Sequence, residues 1–214
     1  MTWNSRLLLG LLISGWVIAV STAPAQTTAS TKKRLIVLGD SITAGFGLER
    51  EEAYPALLQK KVDAAGLAYE VTNAGVSGDT TAGGLRRIDW ALGQKGADVL
   101  LIALGGNDGL RGISPEQTEK NLAGMVTKAR LKNPAMKIVI AGMQMPDNLG
   151  PKYVEAFKGV FPKVAEAEKT ALLPFLLEGV GGDEKLNQAD RIHPTAEGQK
   201  KIADLVWAKL KEML

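Results

Sequence analysis

Short apolar runs alternate with segments of helical periodicity along the chain from Arg34 onward. Residues 35–38 and 99–104 are apolar at every position, which is typical of strands buried on both faces of a sheet. Between such runs lie helix signals, such as the start of a helix at Ser114 and Pro115. The predicted strands are 35–38, 69–72, 98–104, 136–141 and 171–177, and the predicted helices are 54–65, 81–94, 115–132, 153–169 and a last helix opened by His193 and Pro194.

Five strands separated by helices predict a five-stranded parallel sheet in a three-layer α/β/α sandwich, because parallel neighbours need crossover connections that cover the sheet. The sequence has no internal repeat and no low-complexity linker, so residues 34–214 are predicted to form a single domain. In sheets of this class, ligands bind outside the carboxyl ends of the strands. The loops after the first three strands are therefore the expected location of a functional site.

The first 25 residues are predicted to be a cleavable signal peptide. Arg6 is the only charged residue there, residues 7–20 are apolar, and an Ala-x-Ala pattern places the cleavage after Ala25. The apolar segment has 14 residues, fewer than the ~20 that cross a bilayer, which argues against a membrane anchor. Residues 26–33 are polar and are expected to form a flexible tail. We expect an exported bacterial protein, either periplasmic or secreted.

The chain has no cysteine and a single histidine, His193. The absence of cysteine excludes disulfides, thiolate metal sites and thiol nucleophiles, and one histidine excludes a multi-histidine metal centre. The formal net charge is only +3, and no basic run exceeds residues 32–34, so a phosphate-binding surface is not indicated. We expect no metal and no nucleic-acid partner, and a monomer or weak oligomer.

Residues that suit acyl transfer to water follow the predicted strands. Ser41 follows the first strand, Asn107 follows the third, and Asp190 precedes His193 by three residues. A serine hydroxyl is a poor nucleophile unless a base takes its proton, and His193 is the only imidazole in the chain. Each of these motifs alone is more typical of a helix cap or a turn, and a lone loop histidine is more often simply solvated. Their combination favours a catalytic triad of Ser41, His193 and Asp190.

The same chemistry needs donors for the negative charge of the tetrahedral intermediate. The backbone N–H groups of Ser41 and Gly78 and the side-chain amide of Asn107 are predicted to form this oxyanion hole. A glycine at position 78 allows the backbone to approach a substrate closely.

Four ordered sequence blocks carry a resemblance to a known family. They are Gly39-Asp40-Ser41, Ser77-Gly78-Asp79, Gly105-Gly106-Asn107-Asp108 and Asp190-Arg191-Ile192-His193-Pro194. Together they resemble the SGNH (GDSL-type) hydrolases, whose four naming residues match Ser41, Gly78, Asn107 and His193. Within that superfamily the sequence is most similar to the bacterial thioesterase I/protease I/lysophospholipase L1 group and its arylesterase relatives. The resemblance implies a flavodoxin-like strand order, no metal or cofactor, and broad activity on small-molecule esters and thioesters in the periplasm or outside the cell.

The loops around the predicted triad are mostly aliphatic, with no cluster of polar groups suited to sugar hydroxyls. We therefore expect short-to-medium acyl esters, including aryl esters, and thioesters as substrates. The predicted substrate-binding residues are Ile42, Val76, Asp108, Leu110, Ile113, Met145, Leu149 and Ile192.

Other functions agree less well with the sequence. A catalytically silent module could bind an anion at helix N-termini, and it would tolerate the loss of Ser41 and His193. Nucleotide binding is disfavoured because the chain lacks G-x-x-x-x-G-K-[ST] and the third glycine of a dinucleotide fingerprint. The α/β-hydrolase motif G-x-S-x-G is also missing.

A carbohydrate acetylesterase of the same superfamily remains the alternative. A steep loss of activity on acyl groups longer than acetyl would identify it.

Overall fold

The computed structural model describes residue 1 and residues 32–214. Residues 2–25 of the predicted signal peptide and 26–31 of the predicted tail lie outside the described residues. Among the described residues, no helix combines the length and apolar character needed to cross a membrane.

Five parallel strands form one sheet in the order β2-β1-β3-β4-β5. This order is flavodoxin-like and, with helices flanking the sheet, confirms the predicted fold class. The strands are β1 Lys33–Gly39, β2 Tyr69–Gly75, β3 Val99–Ala103, β4 Lys137–Ala141 and β5 Ala171–Leu173. The helices are α1 Ser41–Ala44, α2 Tyr54–Ala64, α3 Thr81–Leu92, α4 Gly106–Leu110, α5 Pro115–Lys132, α6 Pro151–Ala167 and α7 Ala196–Leu210, with 3₁₀ turns at Arg50–Glu52 and Asp147–Leu149.

The core lies on both faces of the two central strands. In β1 and β3, the apolar residues 35–38 and 99–102 are all fully buried, as their continuous apolar character predicts. Helices α2 and α7 pack against each other, while α3, α5 and α6 pack side by side. The position of β1 between β2 and β3 brings the carboxyl ends of the first three strands together.

Several element boundaries differ from the prediction, and two of the differences have a clear local cause. Strand β5 ends at Leu173 instead of residue 177, because Pro174 has no N–H to continue the ladder and the chain turns away. Helix α7 begins at Ala196 instead of at His193 and Pro194, since the Thr195 side chain accepts from the N–H of Gly198 and caps the helix. His193 therefore lies in a loop before the helix.

A buried glutamine ties the last helix to the first strand–helix turn. Gln199 of α7 accepts a hydrogen bond from the N–H of Tyr54 at 2.8 Å and donates to the carbonyl of Ile42 at 2.9 Å. Both bonds are buried, so both the oxygen and the nitrogen of the amide have a structural partner. This contact fixes the start of α7, and with it the preceding loop, against the residues that follow β1.

Candidate active site

Ser41 is the first residue of α1, and only Asp40 separates it from the carboxyl end of β1. The side chain of Asp40 caps this short helix by accepting from the N–H of Ile42 at 3.0 Å. The N–H of Ser41 lies in the first turn, where a helix offers it no partner of its own. The turn is tight, because a Cβ at Gly39 would lie 1.9 Å from Oγ1 of Thr43. This geometry presents the serine at the end of the sheet with its N–H free for a ligand.

A short loop before α7 brings an imidazole and a carboxylate to this serine. Nε2 of His193 lies 2.9 Å from Oγ of Ser41, and Nδ1 of His193 lies 2.6 Å from Oδ2 of Asp190. The other oxygen, Oδ1 of Asp190, accepts from the N–H groups of Ile192 at 2.9 Å and His193 at 3.0 Å. The backbone and side-chain hydrogen bonds from His193 lower the pKa of Asp190 to about 2. The aspartate is therefore ionised and holds the ring towards Ser41.

The aromatic ring of Phe46 lies against the imidazole, a contact that the sequence does not indicate. The ring centroids of Phe46 and His193 are 4.5 Å apart and the rings are tilted by 38°. The side-chain amide of Gln188 holds the backbone of both segments in place, because it donates to the carbonyls of Phe46 at 2.7 Å and Pro194 at 3.1 Å. The imidazole is therefore restrained on one face by an aromatic ring and at its edge by Asp190.

The three predicted oxyanion donors come from three different loops. Gly78 lies in the turn after β2 with a φ of +77°, a conformation that glycine adopts without strain. Its carbonyl accepts from Nη2 of Arg111 at 2.9 Å. Nδ2 of Asn107, on α4, donates to the backbone carbonyl of Asp79 at 2.9 Å and lies 3.4 Å from Oδ2 of Asp40. The Asn107 amide is thus held firmly by one bond, while its second contact is long.

A cavity of about 510 Å³ opens beside Ser41 and His193. Four predicted substrate-binding residues line it, namely Ile42, Leu110, Met145 and Ile192. Sequence reasoning missed much of the remaining wall, which comes from the segments after β4 and β5 and from the loop before α7. These additional lining residues are Asp40, Gly106, Met143, Gln144, Pro146, Phe175, Leu177, Gly181, Gly182, Asn187 and Arg191.

The other four predicted substrate-binding residues do not line this cavity. Asp108 is fully buried and accepts from the N–H of Thr81 at 2.8 Å and from the hydroxyl groups of Thr81 and Thr118, so it joins α3, α4 and α5. The carbonyl of Ile113 accepts from the hydroxyl of Tyr153 at 2.8 Å. The two remaining residues, Val76 and Leu149, are exposed on loops outside the lining.

Asp40 is a buried carboxyl in the wall of the cavity, where sequence reasoning assigns only a helix cap. Its side chain is 3% exposed, and burial raises its pKa from the usual 3.8 to about 6. Hydrogen bonding from Ile42 and the charge of His193 act in the opposite direction but do not offset the desolvation. The ionised form of Asp40 is therefore destabilised at neutral pH.

Replacing Asp40 with asparagine should stabilise the protein at pH 8. The pKa of Asp40 is higher in the folded protein than in the unfolded chain. Its contribution to the free energy of unfolding is therefore most favourable below about pH 4 and is lost as the pH rises through about 6. A difference of about two pKa units sets an upper limit of about 3 kcal/mol on the gain. Asparagine keeps the capping oxygen that accepts from Ile42. The free energy of unfolding in urea at pH 8, 6 and 4 measures the effect.

The gain in Asp40→Asn should disappear at pH 4, where both proteins carry a neutral side chain at position 40. Asp190→Asn provides a control of opposite sign, because the lowered pKa of Asp190 contributes stability that is present at neutral pH and lost as the pH falls towards 2. An equal gain for Asp40→Asn at pH 8 and pH 4 would show that ionisation is not its cause.

Residues 37–201 match the GDSL-like Lipase/Acylhydrolase family, a stretch that runs from β1 into α7. The chain belongs to this family. The matched region contains Ser41, Gly78, Asn107, Asp190 and His193, and the predicted family is confirmed.

Relatives of the chain within the GDSL-like family are named as hydrolases of esters or thioesters. Esterase TesA of Pseudomonas aeruginosa is 47% identical over 204 residues, which cover 95% of this chain and 98% of that protein. An arylesterase of Vibrio mimicus is 36% identical, covering 88% of this chain and 94% of its own. Thioesterase 1/protease 1/lysophospholipase L1 of Escherichia coli K12 is 37% identical over 87% of each chain.

A crystal structure of TesA superposes with a TM-score of 0.81 at 48% identity, covering 85% of this chain and 100% of that one. The likeness in fold and sequence extends over nearly the whole of the described GDSL-like domain. The chain is therefore an ester hydrolase of the GDSL-like family, as the sequence predicts.

Proposed function

We propose that Ser41 is the nucleophile, His193 the general base and Asp190 the residue that orients the imidazole. The observation that carries this proposal is the continuous chain of contacts, 2.6 Å from Asp190 to His193 and 2.9 Å from His193 to Ser41. His193 accepts the serine proton as Oγ attacks the ester carbonyl, and it returns that proton to the leaving group. The ionised Asp190 stabilises the imidazolium that forms between these two steps.

The negative charge of the tetrahedral intermediate is proposed to lie among the N–H groups of Ser41 and Gly78 and the amide of Asn107. The first-turn position of Ser41 and the left-handed backbone of Gly78 support this assignment. Collapse of the intermediate leaves an acyl group on Ser41, and His193 then activates a water molecule to release the acid. The same donors serve thioesters, because attack and charge development occur at the same carbonyl.

We propose carboxylic esters and thioesters with short-to-medium acyl chains as substrates, with aryl esters, acyl-CoA and lysophospholipids as the chemical classes to test. The support is the wall of the cavity, which presents Leu110, Met143, Met145, Phe175 and Leu177 to an acyl chain. The named activities of the relatives agree with this proposal. Gln144, Asn187 and Arg191 also line the cavity, so the wall alone does not exclude sugar hydroxyls. The named activities of the relatives are what disfavour the carbohydrate acetylesterase alternative.

A series of p-nitrophenyl esters tests the acyl preference. Each buried CH₂ contributes up to ~0.8 kcal/mol, so kcat/KM should rise by about tenfold from acetyl to butyryl. The series is run beside acyl-CoA, a lysophospholipid and an acetylated sugar. If the acetylated sugar is the best substrate and the butyryl and hexanoyl esters are barely cleaved, the acetylesterase alternative replaces this proposal.

Two leucines provide a matched pair of variants for the same series. Leu110 lines the cavity and is 46% exposed, whereas Leu149 does not line it and is 37% exposed. Leu110→Ala should lower the ratio of hexanoyl to acetyl kcat/KM by about three- to tenfold, because methylene contacts are lost. Leu149→Ala should leave that ratio unchanged, and equal effects of the two substitutions would place the acyl chain elsewhere.

We further propose export by cleavage of the leader after Ala25, with the mature enzyme in the periplasm or outside the cell. The support is the positive, apolar and Ala-x-Ala order of the first 25 residues. The mature chain, a short tail over residues 26–33 followed by a single hydrolase domain over residues 34–214, is proposed to act as a monomer or weak oligomer without a metal or cofactor.

A further inference from the structure

Arg87 of α3 donates three hydrogen bonds to three different segments. Its Nε donates to Oδ2 of Asp79 at 2.6 Å, Nη1 to the carbonyl of Ala74 at 2.8 Å, and Nη2 to the carbonyl of Gly39 at 2.8 Å. The side chains of Arg87 and Asp79 are only 17% and 12% exposed, so this ion pair is largely protected from water. Each nitrogen of the guanidinium group is therefore committed to one acceptor.

The three acceptors lie where the proposed site is assembled. Gly39 ends β1 and is separated from Ser41 by a single residue, and Ala74 lies at the end of β2. Asp79 follows Gly78 directly in the loop that supplies a proposed oxyanion donor. One side chain thus connects the nucleophile strand, the neighbouring strand and the oxyanion loop.

The same network reaches Asn107 through the backbone of Asp79. While the carboxylate of Asp79 accepts from Arg87, its carbonyl accepts from Nδ2 of Asn107 at 2.9 Å. The carboxylate lies over the first turn of α3, where a Cβ at Gly83 would lie 1.6 Å from its Oδ1. The orientation of the Asn107 amide therefore depends on where Arg87 holds Asp79.

We propose that Arg87 is a positioning residue for the oxyanion hole, acting through Asp79 on Asn107. Arg87 does not line the cavity, so it acts on the substrate only through these groups. The planar guanidinium reaches three acceptors in fixed directions, which the single ammonium of a lysine cannot reproduce. This inference rests on the proposed function, because it assigns the same three oxyanion donors.

The experiment is a double-mutant cycle between Arg87→Met and Asn107→Ala, read in kcat and KM for a p-nitrophenyl ester. Displacement of catalytic groups by about 1 Å costs up to about a hundredfold in rate. Arg87→Met alone should therefore lower kcat by about ten- to a hundredfold with KM nearly unchanged. In the Asn107→Ala background, where the positioned amide is already missing, Arg87→Met should cost less than about threefold.

Arg130→Met is the matched control, because Arg130 also joins a carboxylate and a carbonyl, both of Glu168, and neither residue lines the cavity. It should leave kcat unchanged, whatever it does to the melting temperature. If Arg87→Met does not unfold cooperatively, Arg87→Lys is carried through the same cycle with the same expectation of coupling.

The outcomes separate this inference from the proposed function. If Arg87→Met lowers kcat by the same factor in the wild type and in Asn107→Ala, the positioning role alone is overturned. The same holds if the kcat of the Arg87→Met single variant stays within twofold of the wild type. A normal kcat in Asn107→Ala by itself overturns the proposed oxyanion hole, and the inference about Arg87 with it.

Discussion

Replacing Ser41 with alanine should lower kcat by at least about 10⁴-fold while the protein remains folded. The substitution removes the atom proposed to form the covalent bond to the acyl group. It removes little else, because the hydrogen bond from Oγ is the 2.9 Å contact with Nε2 of His193. The N-cap of α1 is supplied by Asp40 and is unaffected, so the turn after β1 should persist.

The measurement is the steady-state rate with a butyryl ester, together with the unfolding transition of the variant. Ser77→Ala is a matched control, because Ser77 is an exposed serine in the nearby oxyanion loop and is absent from the cavity lining. It should retain nearly full activity. A folded Ser41→Ala protein that keeps a tenth or more of the wild-type kcat would rule out the proposed nucleophile.

Much of the fold is predictable because the central strands are buried on both faces. Successive residues of β1 and β3 point to opposite faces of the sheet, and both faces are buried, so every position is apolar and the pattern is visible without any structure. The carboxyl ends of parallel strands meet at one edge of the sheet. That rule predicted that Ser41 and Asn107 come together, and both line the cavity. It does not reach His193, which was predicted from the need for a base because it is the only imidazole in the chain.

The direction of individual side chains was much less predictable. Asn107 and Asp108 are adjacent in the sequence, but successive residues of a helix point about 100° apart. On α4, Asn107 lines the cavity, whereas Asp108 turns to Thr81 and Thr118 in the interior. Adjacency to a site residue is therefore a poor indicator of substrate contact on a helix of five residues.

Most residues of the cavity wall could not be predicted from the sequence, because much of the wall is irregular backbone without a periodic pattern of apolar residues. Pro174 ends β5 early, and the chain then contributes Phe175, Leu177 and two glycines to the cavity. For Asp40, too, the sequence predicts only part of the role. Its capping role is local and visible in the sequence, but its burial and raised pKa depend on residues from other loops.

Replacing Asn107 with alanine should lower kcat by about 10²–10³-fold, the usual cost of losing one oxyanion donor. The change in KM should be smaller, because the amide meets the developing charge of the transition state more strongly than the ground-state carbonyl. Asn107 also donates to the carbonyl of Asp79, so part of the loss will come from the Gly78 loop. Measurements of kcat and KM with the butyryl ester show whether the loss falls on the transition state or on the bound ester.

Two further variants make the test of Asn107 specific. Asn107→Asp keeps the size of the side chain but replaces the donor with an acceptor, so its kcat should be at least as low as that of the alanine variant. Asn73→Ala removes an amide of strand β2 that donates to the carbonyl of Thr43 at 2.8 Å and lies outside the cavity lining. It should change kcat only slightly. A loss in Asn107→Ala that appears in KM alone would make Asn107 a substrate-binding group, because an oxyanion donor must act on the transition state more than on the bound ester.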